Sequence, residues 1–116
     1  MTVEASLYTA LKTLVANRVY PDVAPFGAVR PFITYQQVGG TAVNFIDQAT
    51  PSKSNARFQV NVWADTRSAA ALLSHQVEQA LRTTTALQTT VLGQPVATYE
   101  VDTTLYGTRQ DFSFWQ

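Results

Sequence analysis

Arg57-Phe58-Gln59-Val60-Asn61-Val62-Trp63-Ala64-Asp65-Thr66, with the run that continues to Thr84, decides the fold. Phe58, Val60, Val62 and Ala64 fall on one side of the first eight residues, and Arg57, Gln59, Asn61 and Trp63 on the other. That period of two marks a strand with one buried face. At Asp65-Thr66 the period changes, and Ala70, Leu73, Val77, Ala80 and Leu81 recur at helical spacing. Asp65 or Thr66 supplies the oxygen that accepts from the first free amides of that helix. A central strand therefore runs straight into the longest helix, which can fold back over the strand's apolar face.

Upstream, Val3–Ala16 reads as a first helix, with Val3, Leu7, Ala10, Leu11 and Leu14 in one stripe. Thr2 is its candidate cap, and Asn17 its stop, because asparagine tolerates the left-handed conformation. Arg18–Pro21 is short and extended, since a residue before proline is pushed out of the helical region. Asp22–Arg30, punctuated by Pro25 and Gly27, reads as a loop with Phe26 as a candidate anchor. Pro31–Val38 is a strand with apolar groups on both faces, so part of its second face should also be covered; Gly39-Gly40 ends it. Thr41–Ala56 has an apolar centre, Val43, Phe45 and Ile46, beside the turn-rich run Thr50-Pro51-Ser52-Lys53-Ser54-Asn55. It is either a long excursion or an extended hairpin arm between two core strands. A segment of that length in a compact domain is usually functional or disordered.

Downstream, Thr83-Thr84-Thr85 frays the second helix. Thr89–Leu92 reads as a short strand and Gly93-Gln94-Pro95 as a turn. Val96–Leu105 reads as a longer strand with Ala97, Tyr99, Val101, Thr103 and Leu105 on one face. Tyr106-Gly107-Thr108 is then a tight connection to a last strand, Arg109–Trp115, with Phe112 and Phe114 on its inner face. The expected fold is α+β in a single domain over residues 1–116: a mostly antiparallel four-stranded sheet with two helices packed on one face. Its expected core is Leu7, Leu11, Leu14, Phe58, Val60, Val62, Leu73, Val77, Leu81, Val101, Phe112 and Phe114.

Composition narrows the function classes. At 116 residues the chain is one domain with a real core. Eight basic and eight acidic residues cancel, which gives no general drive toward nucleic acid or an acidic membrane. With no cysteine there is no disulfide, thiolate nucleophile or thiolate metal site. No apolar run approaches the ~20 residues that span a bilayer, and the first residues lack a signal-peptide pattern. The chain reads as a soluble protein made and used without export. Charged residues are scarce and Thr, Gln, Ser and Asn plentiful, which fits a surface covered by neighbours as well as ordinary variation.

No catalytic constellation is legible. His75, the only histidine, lies ~200° around the second helix from Leu73 and should face away from the core. Glu100 and Asp102 share one strand face ~7 Å apart and read as a polar sheet face, not an acid/base pair. Gly39-Gly40 lacks the Lys-Ser/Thr and the following helix of a phosphate loop. No cofactor or metal is expected. Trp63 and Trp115 lie opposite the buried faces of their strands, either as a second small cluster or as a subunit contact, where aromatics are enriched.

Several blocks in order resemble the tail completion or tail terminator proteins of tailed bacteriophages. They are Leu7-Tyr8-Thr9-Ala10-Leu11, Arg18-Val19-Tyr20-Pro21, Pro31-Phe32-Ile33-Thr34-Tyr35-Gln36, the Arg57–Thr66 run, and Asp111-Phe112-Ser113-Phe114-Trp115. The resemblance implies a structural virion protein and no catalytic residues. It implies a homo-oligomer, a hexameric ring at the head-proximal end of the tail, that ends tail-tube polymerisation and joins the tail to the head. Its partners would be the tail tube protein and the head-tail connector protein, with DNA only passing through the channel and no membrane. Within that picture Val43, Phe45, Ile46, Trp63 and Trp115 are candidate interface residues. Asp47, Glu100 and Asp102 are candidates to face the channel, because a strongly basic lining would hold passing DNA. A small non-catalytic regulatory or nucleic-acid-binding domain is the alternative, and it would need a basic or aromatic-basic patch.

Overall fold

The computed structural model describes residues 2–116. Helix α1 (Val3–Leu11) leads through a 3-10 turn (Lys12–Leu14) to strand β1 (Val19–Pro21). Strands β2 (Phe32–Gly39) and β3 (Asn55–Ala64) follow, then helix α2 (Arg67–Thr83) and a second 3-10 turn (Thr85–Leu87). Strands β4 (Thr90–Val91), β5 (Val96–Glu100) and β6 (Leu105–Trp115) complete the sheet. Its order is β1-β2-β3-β6-β4, with β5 also paired to β6. Only β1 and β2 run parallel; the other pairs are antiparallel.

The strand-to-helix reading of Arg57–Thr84 holds. Phe58, Val60, Val62 and Ala64 are buried, and so is the α2 stripe Ala70, Leu73, Val77 and Leu81. Between the two possible caps the structure selects Thr66, whose Oγ1 accepts from the Ala69 amide at 3.1 Å. At α1 the Thr2 hydroxyl does the same for Ala5. The first helix ends sooner than its stripe suggests. It tightens at Lys12 and turns at Ala16 and Asn17, both at positive φ, so Leu14 is only partly buried and Val15 takes the core position. On the sheet, Phe58, Phe112 and Phe114 form the centre, with ring centroids 5.7 Å (Phe58–Phe114) and 6.2 Å (Phe112–Phe114) apart.

Three expectations are corrected. The sheet has six strands and is mixed. The two strands beyond the four main ones are short: β1 lies within the extended Arg18–Pro21 run and β4 within Thr89–Leu92, and both join the sheet, which a two- or three-residue run gives no pattern to reveal. The last connection lies at Val101–Thr104, not at Tyr106-Gly107-Thr108, so β6 begins at Leu105. Thr104 takes the left-handed conformation (φ 55°) that the turn needs. Val101 therefore leaves the core and is 75% exposed. Gly107, which looked like a turn residue, is instead a point of close approach. A Cβ there would stand 2.8 Å from the Val62 carbonyl oxygen, the Trp63 ring and the Thr98 hydroxyl. Third, Phe26 anchors nothing within the subunit: its side chain is fully exposed.

One buried polar group interrupts the apolar face of β6. Gln110 stands in line with Phe112 and Phe114, and its Nε2 donates to Glu78 Oε1 at 2.9 Å and to the Gly93 carbonyl at 2.8 Å. Glu78 also receives Arg82 one helical turn on, at 3.1 Å. These donors, the Gln110 amide first and Arg82 next, hold the Glu78 carboxyl below its ordinary range.

Phe112→Ala should cost about 3–5 kcal/mol, close to the whole margin of a small domain, and Gly107→Ala about 1–3 kcal/mol through overpacking against backbone. Urea midpoints of the isolated subunit check both. For Glu78 the folded pKa is below the unfolded one, so its contribution is complete above the unfolded value and lost as pH falls through the folded one. Glu78→Gln should therefore lower the midpoint at pH 7, and the two proteins should converge at pH 3; a constant gap would contradict the assignment.

Candidate assembly surfaces

Two apolar surfaces stand at opposite ends of the central strands. The first is the segment between β2 and β3, residues 40–54. Its root is tightly fixed. Gly40 adopts φ 150°, where a Cβ would come within 2.5 Å of the Asn55 carbonyl oxygen. The Asn55 side chain accepts from the Thr41 amide at 2.8 Å and donates to Ser113 Oγ and the Phe114 carbonyl of β6. Ser54 and Gln116 exchange backbone hydrogen bonds at 3.0 and 3.1 Å. Beyond the root the bonding is local. Gln48 donates to the Phe45 carbonyl and Ala49 to the Asp47 carboxylate, and no other hydrogen bond is made by residues 42–53 among the described residues. Ile46 is fully exposed at this turn, Phe45 is half exposed, and Val43 is partly buried near the root. The segment is the long excursion of the two readings left open, with Asn55 and Ala56 belonging to β3.

At the other end of β2 and β3 lies a cleft of about 540 Å³ on the face of the sheet away from the helices. Phe32, Thr34, Trp63 and Leu105 line its base, the Asp22–Arg30 loop one wall, and Glu100, Asp102 and Thr103 the other. Phe32 and Trp63 stack with centroids 6.5 Å apart, and the indole N–H donates to Thr34 Oγ1 at 3.2 Å. Two arginines brace this end of the sheet. Arg30 pairs with Asp65 at 2.9 Å and also donates to the Thr103 carbonyl, tying the loop to the strand–helix junction and the β5–β6 turn. Arg67, the first residue of α2, donates to the Gly107 and Thr98 carbonyls at 2.7 and 2.6 Å and lies over the Tyr106 ring. Val23 and Phe26 project from the loop into solvent.

The residues singled out from sequence thus divide between two places. Val43, Phe45, Ile46 and Asp47 lie on the excursion, and Trp115 lies beside its root, paired with Asn55. Trp63, Glu100 and Asp102 lie at the cleft. The two tryptophans share a sheet face, but their partners along the β3–β6 ladder, Gly107 for Trp63 and Asn55 for Trp115, put them at opposite ends of β6, about 27 Å apart. They form no common cluster within one subunit. Glu100 ends β5 and Asp102 sits in the following turn, so they do not share a strand face. His75 is exposed on α2. Among the described residues no three His, Asp or Glu side chains converge as a metal site, and no helix is long and apolar enough to cross a membrane. The cleft itself was not legible. Arg30 and Asp65 stand 35 positions apart, and nothing local links them.

The family model described as tail completion protein gp17 matches residues 5–116. Among solved structures, a chain in the virion of a native gene transfer agent particle has a similar fold, with TM-score 0.60 and 15% identity over 97% of this chain and 92% of that one. No curated protein matches the chain in sequence.

Amides of residues 42–53 should exchange in the isolated subunit orders of magnitude faster than those of β3 and β6, because only two local bonds hold them. Hydrogen exchange of the monomer checks this; protection equal to that of β3 would refute it.

Proposed function

Because the chain belongs to the tail completion protein gp17 family, we propose that it forms a closed ring of six identical subunits at the head-proximal end of a phage tail. It is a structural protein of the tail and resides in the virion. The ring ends polymerisation of the tail tube and joins the tail to the head connector, so its partners are further copies of itself, the tail tube protein and the connector protein. Passing DNA touches only the channel. The family match across nearly the whole chain carries the tail assignment. The ring has a separate support: each subunit presents two different apolar surfaces at opposite ends of its central strands. Contact between unlike patches is head-to-tail, and such contacts close into a ring when the rotation allows.

In this reading Val43, Phe45, Ile46, Trp63 and Trp115 lie at subunit or partner contacts. The channel is neutral to acidic, which leaves DNA free to pass; Asp47, Glu100 and Asp102 are the candidates to line it, where the seams between subunits open onto it. The role is mechanical and uses no bond-making step, so His75 has no part in it.

Quantitative mass spectrometry and electron microscopy of assembled tails should find six copies at the head-proximal end. One copy per particle, or copies along the tube, would reject the proposal. Deleting Val43–Gln48 should leave the subunit folded, since these residues make no bond to the sheet among the described residues, yet prevent its incorporation. His75→Ala should assemble normally.

A further inference from the structure

We propose that the excursion tip of each subunit seats in the cleft of the next, with Phe45 and Ile46 as the plug. The inference rests on the ring reading above and names the two halves of its contact. A subunit cannot fill its own cleft. The excursion leaves the sheet at Gly39 and Asn55, the cleft opens beside Phe32 and Trp63, and the length of β3 from Asn55 to Trp63 holds the two about 27 Å apart. Both halves are incomplete alone. Ile46 and Phe26 are fully exposed, and Val23 is 80% exposed, an arrangement that a free surface seldom keeps at two separate places.

The halves match in chemistry. The base of the cleft is the stacked pair Phe32 and Trp63, and the indole N–H is already satisfied by Thr34. An apolar plug therefore covers no unpaired donor there. A volume of about 540 Å³ lies within the range of a pocket that engulfs a small apolar ligand. Charge agrees as well. Three carboxylates, Asp22, Glu100 and Asp102, ring the cleft beside a single cation, Arg30. The only cation between Arg30 and Arg57 in sequence is Lys53, on the excursion. Lys53 faces the carboxylates when the tip is seated, and the lone anion of the tip, Asp47, meets the side of the cleft that holds Arg30. The Arg30 bonds to Asp65 and to the Thr103 carbonyl tie the two walls together before any partner arrives, which lowers the cost of docking. One donor and one acceptor per subunit leave no free half once the ring closes.

The chain has no cysteine, so paired substitutions give a clean cross-linking background. Ile46→Cys combined with Phe26→Cys, and separately with Val23→Cys, is treated in assembled tails with a short bismaleimide. A ladder of covalent multimers ending at the closed ring is expected from both pairs, and none from Ile46→Cys with Leu72→Cys on the exposed face of α2. Six copies at the tail end without a ladder would overturn the plug-and-cleft contact while leaving the ring intact; tails without a ring overturn both. As an independent check, Ile46→Asp and Phe26→Asp each place a charge on an exposed side chain, so the subunit should melt as the unsubstituted protein does. Each should be incorporated at least tenfold less. Normal incorporation of either would refute the inference.

Discussion

Phe58, Val60 and Val62 project from β3 toward the buried stripe of α2, and the placement of every other element follows from that contact. A strand has only two faces, so committing these alternate residues to the helices commits Arg57, Gln59, Asn61 and Trp63 to the opposite side. A slip of one residue would exchange the two sets. The ladder to β6 then carries Phe112 and Phe114 to the helix side, where they meet Phe58, and brings Gly107 beneath Trp63. Gly107 admits the indole because it has no side chain, and the indole with Phe32 makes the base of the cleft. A core contact on one face thus builds the cleft on the other.

What the sequence revealed and what it hid follow one physical line. Long stretches with a single buried face were legible, because burial imposes a period: β3, α2 and the Phe112–Phe114 end of β6 are where the alternation placed them. Local chemistry was legible too, as at the Thr2 and Thr66 caps and at Asn17. The β5–β6 hairpin was misread because its alternation, Ala97 to Leu105, continues through a turn that contains no glycine or proline. Gly107 drew the turn to itself, although its role depends on Trp63, 44 positions away. The candidate interface residues were found as exposed apolar side chains on a long segment, but their division between two ends needed the register of β3 against β6. Arg30 and Arg67 gave no signal, since each acts on backbone carbonyls supplied by distant parts of the β5–β6 hairpin.

The two ends are built differently. At the cleft, guanidinium groups clamp loop, turn and helix start to one another, and the surface is presented already shaped. At the excursion, all the fixed bonds lie at the root, through Gly40, Asn55 and the Ser54–Gln116 pair. The tip is left to local turns, so it can adapt to what it meets without disturbing the sheet. In the proposed ring, a rigid receptor and a compliant insert would tolerate small differences in angle between neighbours.

The strand order also has a consequence for synthesis. β6 comes last in the chain but lies in the interior of the sheet, between β3 and the β4–β5 edge. Until it emerges, β3 has no partner on that side, and residues 65–104 must be made first. At the usual rate of translation that wait is roughly 2 to 8 seconds. During it β3 presents an unpaired edge, the kind of surface that invites aggregation. A chain that stops short of β6 lacks the strand that completes its sheet and leaves β3 as an open edge.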